Sequence, residues 1–300
     1  MQIGVVYPQV EIEADPAAVG SYAQAAEAMG FEFIEAYDHV LGANRPSASG
    51  QARPYDLESP FHEPLVLFSF MAGLTKAISF ATGVMVLTQR QTALVAKQAA
   101  CLDVLCGGRL RLGVGTGWNE VEYEALGMPF STRGARIEEQ VAVLRELWTK
   151  RAVTFHGEHH SITNAGIMPM PVQRPIPVWF GGGSDRAHFG ETANLKVLRR
   201  IARVGDGWIQ QSMPQARAAE LLDIFRGYLE EYGRDPKSVG IEVRLELGSL
   251  PEDAWGPSVE AWRKMGVTHL GVNSMLGGLR GVDAHVRRLE AFRRAVPAHR

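Results

Sequence analysis

Short runs rich in β-branched residues recur along the chain, and each is followed by a stretch whose apolar residues have helical spacing. The runs fall at 2–7, 31–36, 78–87, 109–114, 178–180, 207–210, 239–247 and 268–272. Strands that alternate with helices lie parallel and are joined by right-handed crossovers. Eight such units in 300 residues, without an evident linker, predict a (β/α)8 TIM barrel with loop insertions, one domain over 1–300. A doubly wound sheet with a small appended domain is the rival, and the regular spacing favours the barrel.

The helices are read from the 3.6-residue period. One begins near Pro16 with Val19, Tyr22, Ala23 and Ala26 on a face, and Gly30 ends it. Others are predicted over 64–76, 92–105, 131–150, 258–264 and 282–295, around Val197, Leu198 and Ile201, and along Ala218, Leu221, Leu222, Phe225 and Leu229. Two stretches break the pattern. Residues 40–62 exceed an ordinary connection and suggest a binding loop or lid, and 151–176 reads as irregular.

Charge and composition exclude several classes of partner. A net charge of −2 supplies no global basic field for nucleic acid. No run of about 18 apolar residues could span a bilayer. The first residues lack a basic, apolar and cleavable leader, so a cytoplasmic location is expected. Cys101 and Cys106 lack the company of a zinc site or a plausible disulfide geometry and read as buried apolar thiols. The cluster His156, Glu158, His159 and His160 lacks the i, i+4 spacing of a helical zinc site, so no metal is expected and a solvated loop is the reading.

Barrel chemistry gathers where strands end and loops begin. Those ends offer Gln9, Asp38 and His39, Thr88 to Arg90, Gly115 to Asn119, Gly181 to Ser184, Gln210 and Gln211, Glu246, Asn273 and Ser274. A histidine at the mouth can shuttle a proton or donate to a ligand carbonyl, and Asp38 could bond a ring nitrogen. The pair could equally cap a turn. Gly113, Gly115 and Gly117 would let backbone approach a planar ring or phosphate, although no acidic residue completes a dinucleotide fingerprint. Gly181, Gly182, Gly183 and Ser184 before a helix suit a phosphate, with Arg186 as added charge, or form a plain turn.

Together these segments resemble a known family. Asp38-His39, the stretch from Ala96-Lys97-Gln98 through Gly107-Gly108-Arg109 to Gly115-Thr116-Gly117-Trp118, Pro177 to Gly182 and Ala202 to Trp208 are similar to motifs of the luciferase-like superfamily, in its coenzyme F420-dependent branch. The resemblance implies a flavin or deazaflavin at the carboxyl ends of the strands. It implies a non-prolyl cis bond at Gly83-Val84 supporting the ring, and contacts from Asp38, His39, Gly115, Thr116, Gly117, Asn119, Gly181, Gly182, Gly183 and Ser184. Relatives acting on sugar phosphates or simple alcohols carry a tryptophan where this chain has Asn44, and some a glutamate where it has Trp118. Those departures point away from both substrates.

The expected activity is hydride transfer between F420 and a small organic substrate, with His39 handling a proton and Trp118 walling the pocket. The alternatives are an FMN-dependent monooxygenase served by a partner reductase, and a non-catalytic flavin- or deazaflavin-binding protein. A homodimer is a weaker expectation carried over from the family.

Overall fold

The computed structural model describes residues 1–42, 44, 55–183, 190–211 and 213–298, the side chains of 190–194 excepted. Its main sheet closes on itself. The strands are β1 (Gln2–Val6), β2 (Phe33–Ala36), β3 (Ser79–Thr82), β4 (Met85–Val86), β5 (Leu110–Gly115), β8 (Val178–Gly182), β9 (Gly207–Gln210), β10 (Gly240–Glu246) and β11 (His269–Asn273). They run in the order β3-β2-β1-β11-β10-β9-β8-β5-β4, and a β3–β5 pairing completes the ring. Every pairing in the ring is parallel. Because β3 and β4 are two halves of one staggered strand, this is the eight-stranded TIM barrel read from the alternation.

The surrounding helices are α1 (Pro16–Ala28), α2 (Pro64–Leu74), α3 (Thr92–Leu105), α4 (Glu120–Ala125), α5 (Arg133–Thr149), α6 (Gly190–Val204), α7 (Gln215–Glu231), α8 (Trp255–Lys264) and α9 (Val282–Ala295). Local chemistry sets several starts. Asp15 accepts from the Ala18 amide at 3.1 Å and Glu63 from the Val66 amide at 2.9 Å, and a proline follows each cap where no amide proton is needed. The apolar stripes then dock on the barrel. Trp208 and Phe225 meet at 5.1 Å between β9 and α7, and Phe31 stacks on Phe292 of α9 at 6.3 Å.

The segment 151–176 is corrected by the structure. It holds an antiparallel hairpin, β6 (Val153–His156) with β7 (Ser161–Ala165), not a wholly irregular loop. Glu139 of α5 closes its turn by accepting from the Glu158 and His159 amides, each at 2.8 Å, and its carboxylate lies 2.6 Å from His160 Nδ1. His160 Nε2 in turn lies 2.7 Å from Thr92 Oγ1. His160 therefore ties the hairpin to α3 and α5, whereas the His156 side chain is exposed, 3.1 Å from Ser161 Oγ within the hairpin. Among the described residues no group of three or more His, Cys, Asp or Glu could hold a metal ion, and no helix is long and apolar enough to cross a membrane. Both cysteines are free; Cys106 is buried, whereas Cys101, expected buried, is half-buried.

Inside the barrel the side chains form a floor and a charged layer. At the amino end the Arg111 guanidinium lies 4.8 Å from the Phe33 ring and 4.2 Å from the Trp179 ring, and His269 sits 4.7 Å from Trp179. These large groups fit because the neighbouring strands contribute glycine: a Cβ at Gly207 or Gly240 would lie 2.1 Å from the Trp179 indole. Arg111 pairs with Glu242 at 2.5 Å, and burial pushes the Glu242 carboxyl up to about 8 against that pull. One layer higher, Arg244 of β10 crosses the barrel to Glu35 of β2 and donates to the Gly83 carbonyl at 2.6 Å. Glu35 has no exposed surface.

Removing one partner of a buried pair strands the other charge. Arg244→Met is expected to cost about 3–5 kcal/mol in urea unfolding, and Glu35→Gln in the same chain should return part of it. His269 sets a pH dependence. Burial, reinforced by Arg111, lowers its folded value to about 3, so below the ordinary 6.5 the unfolded chain takes up a proton that the folded chain refuses. Stability should fall as pH drops from about 6.5 toward 3, and His269→Gln should flatten that slope in acid titrations.

Candidate active site

The carboxyl ends of the strands carry two adjoining features, a glycine-lined platform and an aromatic cavity. The platform is built around Val84. The Gly83-Val84 peptide is cis, as the resemblance implied, and separates β3 from β4. Val84 is half-buried, and its methyl groups lie where the side chains of two neighbouring strands would otherwise begin. A Cβ at Gly115 would come within 2.6 Å of Val84 Cγ2, and one at Gly181 within 2.7 Å of Cγ1. The Gly83 position is closed from beneath by the Glu35 carboxylate, 1.5 Å from any added Cβ. Gly117 takes a φ of 61°, suited to glycine, with Val86 against it.

The cavity lies beside the His39 ring and measures about 370 Å³. Tyr55, Phe61 and Trp118 surround that imidazole with centroids 5.1, 4.9 and 5.6 Å away, and Leu41, Leu57, Pro60 and Asn119 complete much of the wall. Asp56 is the sole acidic residue among the described lining residues, which include no lysine or arginine.

The turn that carries His39 is held from two sides. Asp38 accepts from the Val86 amide at 2.8 Å and from Arg90 Nη2 at 2.6 Å, and Arg90 also pairs with Glu63 at 3.1 Å. With both oxygens engaged and no exposed side-chain area, Asp38, expected as a ring contact, ties the turn to the third strand. On the other side Glu122 Oε1 accepts from the Val40 amide at 2.7 Å and the Leu41 amide at 3.3 Å, and lies 3.3 Å from His39 Nδ1. Asn119 donates to the Leu41 carbonyl at 3.3 Å. Asn119, expected as a cofactor contact, therefore stands at the wall of the His39 cavity.

The remaining expected contacts divide. Thr116 sits at the mouth, its carbonyl accepting from the Tyr123 hydroxyl at 2.6 Å. Gly182 and Gly183 pack backward: a Cβ on the first would lie 2.3 Å from Val197 and on the second 2.8 Å from Trp208, whose indole donates to the Gly182 carbonyl at 2.8 Å. Their small size serves the α6 side of the strand. Ser184 and Arg186, expected at a phosphate, lie outside the described residues. Glu246 accepts from Asn273 at 2.7 Å. Glu122 was not singled out in the sequence; its spacing from Asn119 matches an N-x-x-E helix-capping pattern, which hides a contact 83 residues away along the chain.

Sequence comparison matches residues 1–294 to a family described as luciferase-like monooxygenase. The chain belongs to this family. An uncharacterized protein of Mycobacterium tuberculosis is 36% identical over 221 residues, 71% of each chain. The luciferase-like chain is also 28% identical to an F420-dependent glucose-6-phosphate dehydrogenase of Kineococcus radiotolerans over 272 residues, 84% of this chain and 72% of that one. A monooxygenase of Streptomyces bottropensis shares its fold with a TM-score of 0.78 at 17% identity, covering 99% and 98% of the two chains. Membership in this family makes the chain an oxidoreductase.

The platform makes a direct test of that kinship. Gly181→Val places a branched side chain against Val84. It should weaken binding of a tricyclic cofactor at least about tenfold, the effect of a clash of 1.4 kcal/mol, while circular dichroism stays native.

Proposed function

We propose that this chain transfers a hydride between coenzyme F420 and a small uncharged organic substrate, with His39 exchanging the accompanying proton. The observation that carries this reading is the placement of His39 in an aromatic cavity at the same mouth as the Val84 platform. The residues fit a tricyclic ring. Gly115 and Gly181 leave Val84 as a flat apolar seat, and any side chain at either position would disturb it. When bound, a deazaflavin supplies two-electron hydride chemistry; the protein supplies position, shielding and protons.

His39 is suited to the proton step because its second ring nitrogen is not the one facing Glu122. Trp118, Tyr55 and Phe61 exclude water and present apolar faces to a substrate carbon skeleton. The walls described here offer no cation for a phosphate or carboxylate substrate. This agrees with Asn44 and Trp118 replacing residues expected in sugar-phosphate and alcohol oxidising relatives. The F420 dependence named for the Kineococcus relative supports the choice of cofactor.

Titrating the apoprotein with F420 and, separately, with FMN, read by quenching of tryptophan fluorescence, tests the choice. Tighter F420 binding supports hydride transfer. Tighter FMN binding would replace it with oxygen-dependent flavin chemistry. His39→Ala should then lower kcat by about 10²- to 10⁴-fold with the cofactor Kd little changed. Unchanged turnover would remove His39 from the proton step.

A further inference from the structure

We propose that Glu122 is a positioning residue that fixes the tautomer and aim of the His39 imidazole; this rests on the reading of His39 as the proton-handling group. Glu122 is 1% exposed and belongs to α4, the short helix that follows the β5 glycines. One oxygen, Oε1, receives the Val40 and Leu41 amides and faces His39 Nδ1. A carboxylate has no proton to give, so the ring nitrogen opposite it carries the hydrogen. Neutral His39 is then the Nδ1–H form, and Nε2 keeps the lone pair. The hydrogen bond made by one imidazole nitrogen decides the state of the other, which is the nitrogen left for chemistry.

The start of α4 is given over to this purpose. Glu122 and Asn119 stand three apart in the order of a capping box, yet both side chains reach across to the 40–41 turn. The rings of Tyr55, Phe61 and Trp118 pack against the other sides of the imidazole and hold its plane. The charged groups around the turn are accounted for elsewhere: Asp38 and Glu63 pair with Arg90, and Asp56 lies at the cavity wall. Glu122 is thus the carboxylate in direct contact with the ring. A purely structural role, holding the Val40 and Leu41 amides, predicts the same fold but no control over the imidazole.

The two roles separate in the full-length protein. Long-range nitrogen–proton NMR reads the His39 tautomer with no cofactor or substrate present. Wild type and Glu122→Gln should show Nδ1–H, because the amide carbonyl still accepts from the ring and both backbone amides. Glu122→Ala should show a mixture with Nε2–H. In turnover with F420, Glu122→Ala should lose about 10- to 100-fold in kcat while the cofactor Kd holds. Glu122→Gln should recover most of that loss, because its carbonyl can accept from the same three donors. If Glu122→Ala does not fold, the His39 tautomer in Glu122→Leu decides the matter.

An unchanged tautomer with wild-type kcat in Glu122→Ala, or an unchanged tautomer in Glu122→Leu, overturns the proposal. A tautomer that changes while neither Glu122→Ala nor His39→Ala alters turnover upholds the hold on the ring and instead overturns the proton role of His39.

Discussion

The Arg244 guanidinium is the contact on which the mouth of the barrel depends. It starts on β10, pairs with Glu35 on β2 and donates to the Gly83 carbonyl where β3 gives way to β4. A buried ion pair gains little over an apolar core of the same volume, because desolvation offsets most of the attraction. What this one supplies is registry. Three strands that are distant in sequence are joined at one height, and that height is where Val84 sits. The second pair below it, Arg111 with Glu242, fills the floor with its aromatic neighbours.

Above this layer the structure uses charge differently. The turn carrying His39 is gripped by Asp38 toward the third strand and by Glu122 toward α4. Loops fluctuate more than strands, and a reactive side chain on a loop needs such a second ring of contacts to hold its aim. Here the backbone amides of residues 40 and 41 are satisfied by the same carboxylate that faces the imidazole. Local folding of the turn and orientation of the ring are one event.

The sequence made the barrel legible because each strand is a compact apolar run bounded by glycine or polar residues, and each helix repeats its apolar stripe. The limits of α3 and α9 coincide with the periodic segments 92–105 and 282–295. The hairpin at 153–165 escaped because it lies outside the main sheet and is largely exposed, so it has no strong alternation. His39 and Trp118 both stand where strand-end logic places chemistry, and the structure brings their rings together. Asp38, expected beside His39 at the ring, is turned to Val86 and Arg90. Neighbours along an extended chain point to opposite sides, so two adjacent polar residues seldom serve one ligand face. Glu122 left no readable trace, since the contact that matters joins it to a turn more than eighty residues earlier.

The stopper at the amino end of the barrel has a consequence for traffic. Phe33 and Trp179 are almost wholly buried, with Arg111 and His269 wedged among them, so among the described residues the amino end of the barrel is filled by side chains. Anything that reaches the barrel interior therefore approaches from the carboxyl ends of the strands, the side on which Val84 and the hollow beside His39 both lie.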